Sequence, residues 1–173
     1  MASVKIRPMT EEDISPIMSI EERSYGTHHW SEDSFKMELK NKLGNYFCAC
    51  DEKTEEILGY CGYWLIFDEA HITTIAVNPE KRKSGTGELL LQTMIKHGYE
   101  EKAKWFTLEV RASNLPAISL YKKYGFDSLG VRKNYYHDNN EDALIMWTEN
   151  IWFDKFKERF NQNLENYNNK TLK

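Results

Sequence analysis

The segment Ile75-Ala76-Val77-Asn78-Pro79-Glu80-Lys81-Arg82-Lys83-Ser84-Gly85-Thr86-Gly87-Glu88-Leu89-Leu90-Leu91 constrains this chain more than any other. It opens as an apolar β-type run. Asn78 and Pro79 stop that run, because proline has no N–H for a ladder and favours a turn. Three cations follow, then two glycines one residue apart, then a helix-forming run from Glu88. The order is strand, basic glycine-rich loop, helix. Such an order sets the unpaired N–H groups and the positive dipole end of a helix just past a strand. Glycine lets an anion approach that backbone closely, so the segment reads as a pyrophosphate cradle. Its Gly85-x-Gly87 pair lacks P-loop spacing and the third glycine of a dinucleotide fingerprint. The spacing alone therefore leaves an ordinary glycine-rich helix start open.

The 173 residues are enough for one domain with a core. A net charge of −4 excludes global attraction to nucleic acid or an anionic membrane. No apolar run approaches the roughly 20 residues that span a bilayer, and Met1 to Arg7 lacks the pattern of a signal peptide. Three cysteines, with Cys48 and Cys50 alternating on an apolar stretch, suggest reduced thiols in a cytoplasmic protein. The histidines at 28, 29, 71, 97 and 137 are scattered and no Cys-x-x-Cys occurs, so no metal is expected.

Val4 to Arg7 alternates as an edge strand. Thr10 precedes a helical face of Ile14, Ile17, Met18 and Ile20 that ends before Gly26. Gly26-Thr27-His28-His29-Trp30 reads as a loop, and Ser31 caps a second helix through Lys40. Strands are expected over 45–51, 57–67 and 71–77, with Gly59 and Gly62 as bulges or points of close approach. A helix to about Lys102, a strand over 105–110, and a helix capped by Asn114 and closed by Gly125 follow. Strands over 126–136 and 143–148 complete a mixed sheet with helices on its faces, an α/β or α+β layered domain over 1–148. Trp152, Phe156, Phe160 and Leu164 recur every four residues. They predict an appended amphipathic helix over 149–164, followed by a disordered Asn-rich tail over 165–173.

A second constellation is Leu108-Glu109-Val110-Arg111-Ala112-Ser113-Asn114, followed by Tyr121. Alternation points Glu109 to the face opposite its apolar neighbours. If that face is dry, its pKa rises from about 4.3 and it becomes a usable base. A strand ion pair with Arg111 is the alternative for Glu109, and core packing the alternative for Tyr121.

As a set, these pieces resemble the GNAT acetyltransferase superfamily. Arg82-x-x-Gly85-x-Gly87 after Ile75-Ala76-Val77 is similar to its coenzyme A motif. Leu108 to Asn114, Ala117 to Tyr121, Tyr124-Gly125-Phe126, Arg132 to Tyr136, Glu141 to Met146 and Trp30-Ser31 resemble the branch that acetylates protein N-termini. The resemblance covers Lys5 to Met146. It implies an α/β (α+β layered) GNAT fold with a mixed, mostly antiparallel central sheet of about seven strands flanked by helices. It implies acetyl-CoA as co-substrate, with the N-terminus of a small-subunit ribosomal protein, at alanine, or of another peptide as acceptor. A monomer that binds neither nucleic acid nor membrane is expected.

The resemblance also implies roles. Backbone groups of Ile75, Ala76 and Val77 would pair with the pantetheine arm, and the Val77 N–H would hold the oxyanion. Arg82, Lys83, Ser84, Gly85, Thr86, Gly87 and Glu88 would hold the pyrophosphate, and Asn114 would touch the coenzyme. Glu109 would be the base and Tyr121 the acid. Trp30, Tyr135 and Tyr136 would line the peptide groove. His28 and His29 stand where the family's pattern has an apolar residue and a proline, which leaves a lysine or small-amine acceptor open. A non-catalytic module docking on the ribosome through its C-terminal helix is the third reading.

Overall fold

The structure, a computed structural model, describes residues 3–171. The chain forms two compact units. One comprises residues 3–66 and Ile72–His97; the other comprises Phe67–His71 and residues 98–171. The boundary falls inside the expected 1–148 domain, and the C-terminal helix belongs to the second unit.

In the first unit, β1 (Val4–Pro8), β2 (Gly44–Asp51) and β3 (Ile57–Ile66) pair antiparallel in chain order. β3 is followed in the sheet by β4 (Glu69–Val77). Ile14, Ile17 and Ile20 of α1 (Ile14–Tyr25) and Phe35 of α2 (Glu32–Lys40) pack into one apolar cluster with Tyr46, Cys48, Cys50, Tyr60 and Ala76. Each end of α1 has a local cause. Before it, the Asp13 carboxylate accepts from the Thr10 N–H at 2.8 Å and takes two bonds from Arg7 at 2.7 Å. After it, Gly26 turns the chain with φ of 56°. Ser31 caps α2 as expected, accepting from the Ser34 N–H at 3.1 Å.

The two glycines of β3 are points of close approach. A Cβ on Gly59 would lie 2.6 Å from the Ala76 carbonyl oxygen, and one on Gly62 would lie 2.2 Å from the Tyr46 ring. The register with β2 also shifts at Ala49/Cys50, so an irregularity sits beside Gly59. All three cysteines are free and buried.

In the second unit, Glu69–His71 of β4 pairs parallel with Trp105–Thr107 of β5 (Trp105–Arg111). β5 pairs antiparallel with β7 (Glu141–Thr148), and β7 with β6 (Phe126–Tyr136). Because β4 contributes to both units, the hydrogen-bonded strand order is β1-β2-β3-β4-β5-β7-β6, a mixed, mostly antiparallel set of seven. Between β5 and β6 lies α4 (Leu115–Lys123), closed by Gly125 at φ 87°.

The C-terminal helix, α5 (Asp154–Thr171), is integrated into its unit. Phe156 and Phe160 are buried, and Phe160 meets the rings of Tyr99 and Tyr124 at 6.1 Å each. Asn163 Nδ2 donates to the Lys123 carbonyl at 2.9 Å. The helix runs past the expected end at 164, so 165–171 are helical and 172–173 lie outside the described residues. Anchored upstream, it continues through Asn and Lys, which cost only a few tenths of a kcal/mol each. Among the described residues no helix is long and apolar enough to cross a membrane.

Candidate active site

The first unit holds the cradle. β4 ends at Val77, and Asn78 pins its exit. The Asn78 N–H donates to the Leu58 carbonyl at 2.8 Å, while its side-chain oxygen accepts from the Glu80 N–H at 3.2 Å and from Arg23 at 3.3 Å. After a short 3-10 turn over Pro79–Lys81, Lys83 and Gly85 both take positive φ, 62° and 87°. These two residues bend the backbone between the exit of β4 and the helix that follows, whose first N–H groups have no partner within the helix. Ser84 Oγ donates to the Lys81 carbonyl at 2.6 Å and lies 2.8 Å from Thr86 Oγ1. The helix α3 (Thr86–Glu100) starts two residues before the expected Glu88. Thr86 and Gly87 precede the periodic apolar run, so periodicity could not mark them. Arg82 and Lys83 are exposed beside this turn.

Gly87 has no positive φ, and a Cβ there would meet only Val77 Cγ2 at 3.5 Å, an ordinary contact. Neither strain nor crowding within the chain demands a glycine at this position. Close approach of a ligand to the first turn of α3 does account for it, so the residues fit a bound pyrophosphate.

Ile75, expected to pair with a pantetheine arm, has its edge already engaged. Its N–H donates to Tyr25 Oη at 3.3 Å, and Tyr25 Oη donates to the Ile75 carbonyl at 2.9 Å. Tyr25 Oη also lies 3.2 Å from Thr74 Oγ1. Burial pushes the Tyr25 hydroxyl above its ordinary value. Ladder pairing of β4 with β5 covers Glu69–His71, which lies before Ile75, Ala76 and Val77.

Trp30 is half-buried, its ring 5.2 Å from that of Phe35 and 6.5 Å from that of Tyr46. Its backbone N–H donates to Glu21 Oε1 at 2.8 Å, and Tyr60 donates its hydroxyl to Glu21 Oε2. Glu21 is only 2% exposed. Burial pushes its carboxyl up to about 7, against the opposing pull of the Trp30 N–H and of His29. Glu21 is not among the residues singled out from sequence. Its signal was spacing: it stands four residues after Ile17 and seven after Ile14, on the buried stripe of α1.

The second unit holds the other candidates. On β5, Leu108 and Val110 are buried and Glu109 is exposed, as alternation requires. The face is wet rather than dry: the Glu109 side chain is 35% exposed and sits 3.4 Å from Arg132. Arg111, the partner weighed from sequence, instead bonds Asp138 at 2.8 Å and Glu141 at 3.3 Å. Its guanidinium also lies 3.9 Å from the Tyr136 ring centre. Asn114 caps α4, its side-chain oxygen accepting from the Ala117 N–H at 3.3 Å. Tyr121 is buried against Phe126, with ring centres 5.7 Å apart. The exposed Tyr135 and half-buried Tyr136 meet edge to face at 5.1 Å. Among the described residues no group of three or more His, Cys, Asp or Glu is arranged to hold a metal ion.

The first unit thus carries a strand that runs into a basic glycine-rich helix start, and the second an exposed strand glutamate and a buried helix tyrosine. Residues 12–126 match the family model described as the acetyltransferase (GNAT) family. This chain belongs to the GNAT acetyltransferase family. It is 46% identical over 143 residues to a Bacillus subtilis protein, provisionally named a [ribosomal protein bS18]-alanine N-acetyltransferase, covering 82% of this chain and 93% of that one. The Escherichia coli K12 [ribosomal protein bS18]-alanine N-acetyltransferase is 33% identical over 136 residues, with 78% and 89% covered. The crystal structure of the Escherichia coli ribosomal-protein-S18-alanine N-acetyltransferase superposes with a TM-score of 0.77 at 30% identity, covering 85% of this chain and 94% of that one.

Proposed function

We propose that this acetyltransferase moves the acetyl group of acetyl-CoA to the N-terminal amine of a protein, the N-terminal alanine of ribosomal protein bS18. The observation that carries the reading is the 46% identity to the Bacillus subtilis relative across 82% of this chain and 93% of that one.

The chemistry assigns each residue a task. The turn from Arg82 to Glu88 holds the pyrophosphate through backbone N–H groups, with Arg82 and Lys83 adding charge. Backbone groups of Ile75, Ala76 and Val77 would hold the pantetheine arm, at Ile75 in exchange for the bonds to Tyr25. With its oxygen committed to the cap of α4, Asn114 offers its amide nitrogen to the coenzyme. A protein α-amine has a pKa of about 7.7–8.0, so much of it is ammonium at neutral pH. Glu109 accepts the proton, directly or through a water, and the amine attacks the thioester carbonyl. The Val77 N–H stabilises the oxyanion. Collapse expels the thiolate, and Tyr121 supplies its proton. Trp30, Tyr135 and Tyr136 guide the peptide.

The test is incubation with acetyl-CoA and an alanine-starting peptide, read by intact mass. One acetyl group is the expected gain. Transfer only to a peptide with a blocked N-terminus and a free lysine would move the acceptor to the lysine side chain.

A further inference from the structure

We propose that Glu21 is a positioning residue for the peptide acceptor, fixing the Gly26–Trp30 loop through the backbone of Trp30. The inference rests on the reading that Trp30 borders the acceptor. Within the loop, His29 Nδ1 lies 2.7 Å from the Gly26 carbonyl oxygen. Thr27, His28 and His29 are exposed, and Gly26–His28 is a single 3-10 turn closed by the His29 N–H donating to the Gly26 carbonyl at 3.3 Å. At its far end two anchors meet on one residue. The Trp30 ring packs on Phe35 and Tyr46, and the Trp30 N–H is bonded to Glu21 at 2.8 Å.

An apolar residue would fill the Glu21 position of α1 without the cost of burying a carboxyl. A carboxyl there supplies an acceptor for one loop N–H. Tyr60 from β3 holds its other oxygen. The titratable groups facing it are Tyr60 from β3, Tyr25 from the last turn of α1 and His29 from the loop. The bond to Trp30 is charge-assisted while Glu21 is ionised and weakens when it is protonated. Its carboxyl titrates at about 7, so the hold on the loop slackens as pH falls through neutrality.

The test is steady-state kinetics on the full chain with acetyl-CoA and an alanine-starting peptide, from pH 6 to 8.5. Glu21→Ala is expected to raise the peptide KM about tenfold, with kcat and the coenzyme Kd within about twofold of wild type. Glu21→Gln keeps a carbonyl acceptor without the charge. Its KM is expected about fivefold above wild type at pH 8 and equal to it near pH 6. Should the alanine variant not fold, that convergence decides. A Glu21→Gln KM profile parallel to wild type overturns the proposal, as does an equal rise in coenzyme Kd and peptide KM. A wild-type protein that binds acetyl-CoA but transfers to no peptide N-terminus overturns the acceptor reading and this inference with it.

Discussion

Two glutamates, one in each unit, sit in opposite surroundings. Glu21 is 2% exposed on α1, bonded to Tyr60 and to the Trp30 N–H. Glu109 lies on β5 with its side chain 35% exposed, 3.4 Å from the guanidinium of Arg132. Burial brings the Glu21 carboxyl to about 7, the range in which a general base works well, yet both of its oxygens are committed, one to the Trp30 N–H and one to Tyr60. Glu109 has the access that Glu21 lacks. The contrast teaches that reach comes before proton affinity when a catalytic carboxylate is chosen, and that a titrating buried carboxyl serves better as a structural anchor.

The largest effect that can break this comparison is on turnover. Glu109→Gln is expected to lower kcat by 10²- to 10⁴-fold with little change in coenzyme Kd, whereas Glu21→Gln spares kcat. Steady-state rates with calorimetric Kd values check both, and a reversal of the pair would invert the assignment. Next comes pH-dependent stability. The folded-state value of Glu21, about 7, lies above its ordinary 4.5. Its contribution is therefore fully present below about pH 4.5 and is lost as pH rises through about 7. Denaturant unfolding at pH 5 and pH 8 is expected to show wild type losing about 2–3 kcal/mol more than Glu21→Gln over that interval.

Removing each glutamate's partner gives the smaller effects. Tyr60→Phe deletes the hydroxyl that satisfies a buried carboxyl and should cost about 1–3 kcal/mol in urea unfolding. Arg132→Ala breaks an exposed pair and should cost less than about 0.5 kcal/mol. Similar values for the two would show that burial does not separate these sites.

Local chain chemistry made β4, the basic turn and α3 legible in sequence. Pro79 ends a ladder wherever it falls, and Gly85, at φ 87°, marks a turn without reference to the rest of the molecule. Glu109 was legible because alternation on β5 holds regardless of context. Its surroundings were not, since Arg132 comes from another strand, 23 positions along in register-dependent pairing rather than local spacing. Glu21 was hidden by its type: a glutamate near the end of an amphipathic helix looks solvated, although its spacing from Ile14 and Ile17 puts it on the buried stripe. Tyr25 on Ile75 was invisible for the same reason as Arg132, a long-range contact between α1 and β4. The length of α5 exceeded its apolar pattern because its first two turns are anchored by Phe156 and Phe160.

The most direct test of the central claim is the rate of acetyl transfer to one alanine-starting peptide, free or blocked at its N-terminus, at saturating acetyl-CoA. The account predicts a single acetyl group on the free peptide and none on the blocked one. Equal transfer to both, or transfer to the blocked peptide alone, would contradict it.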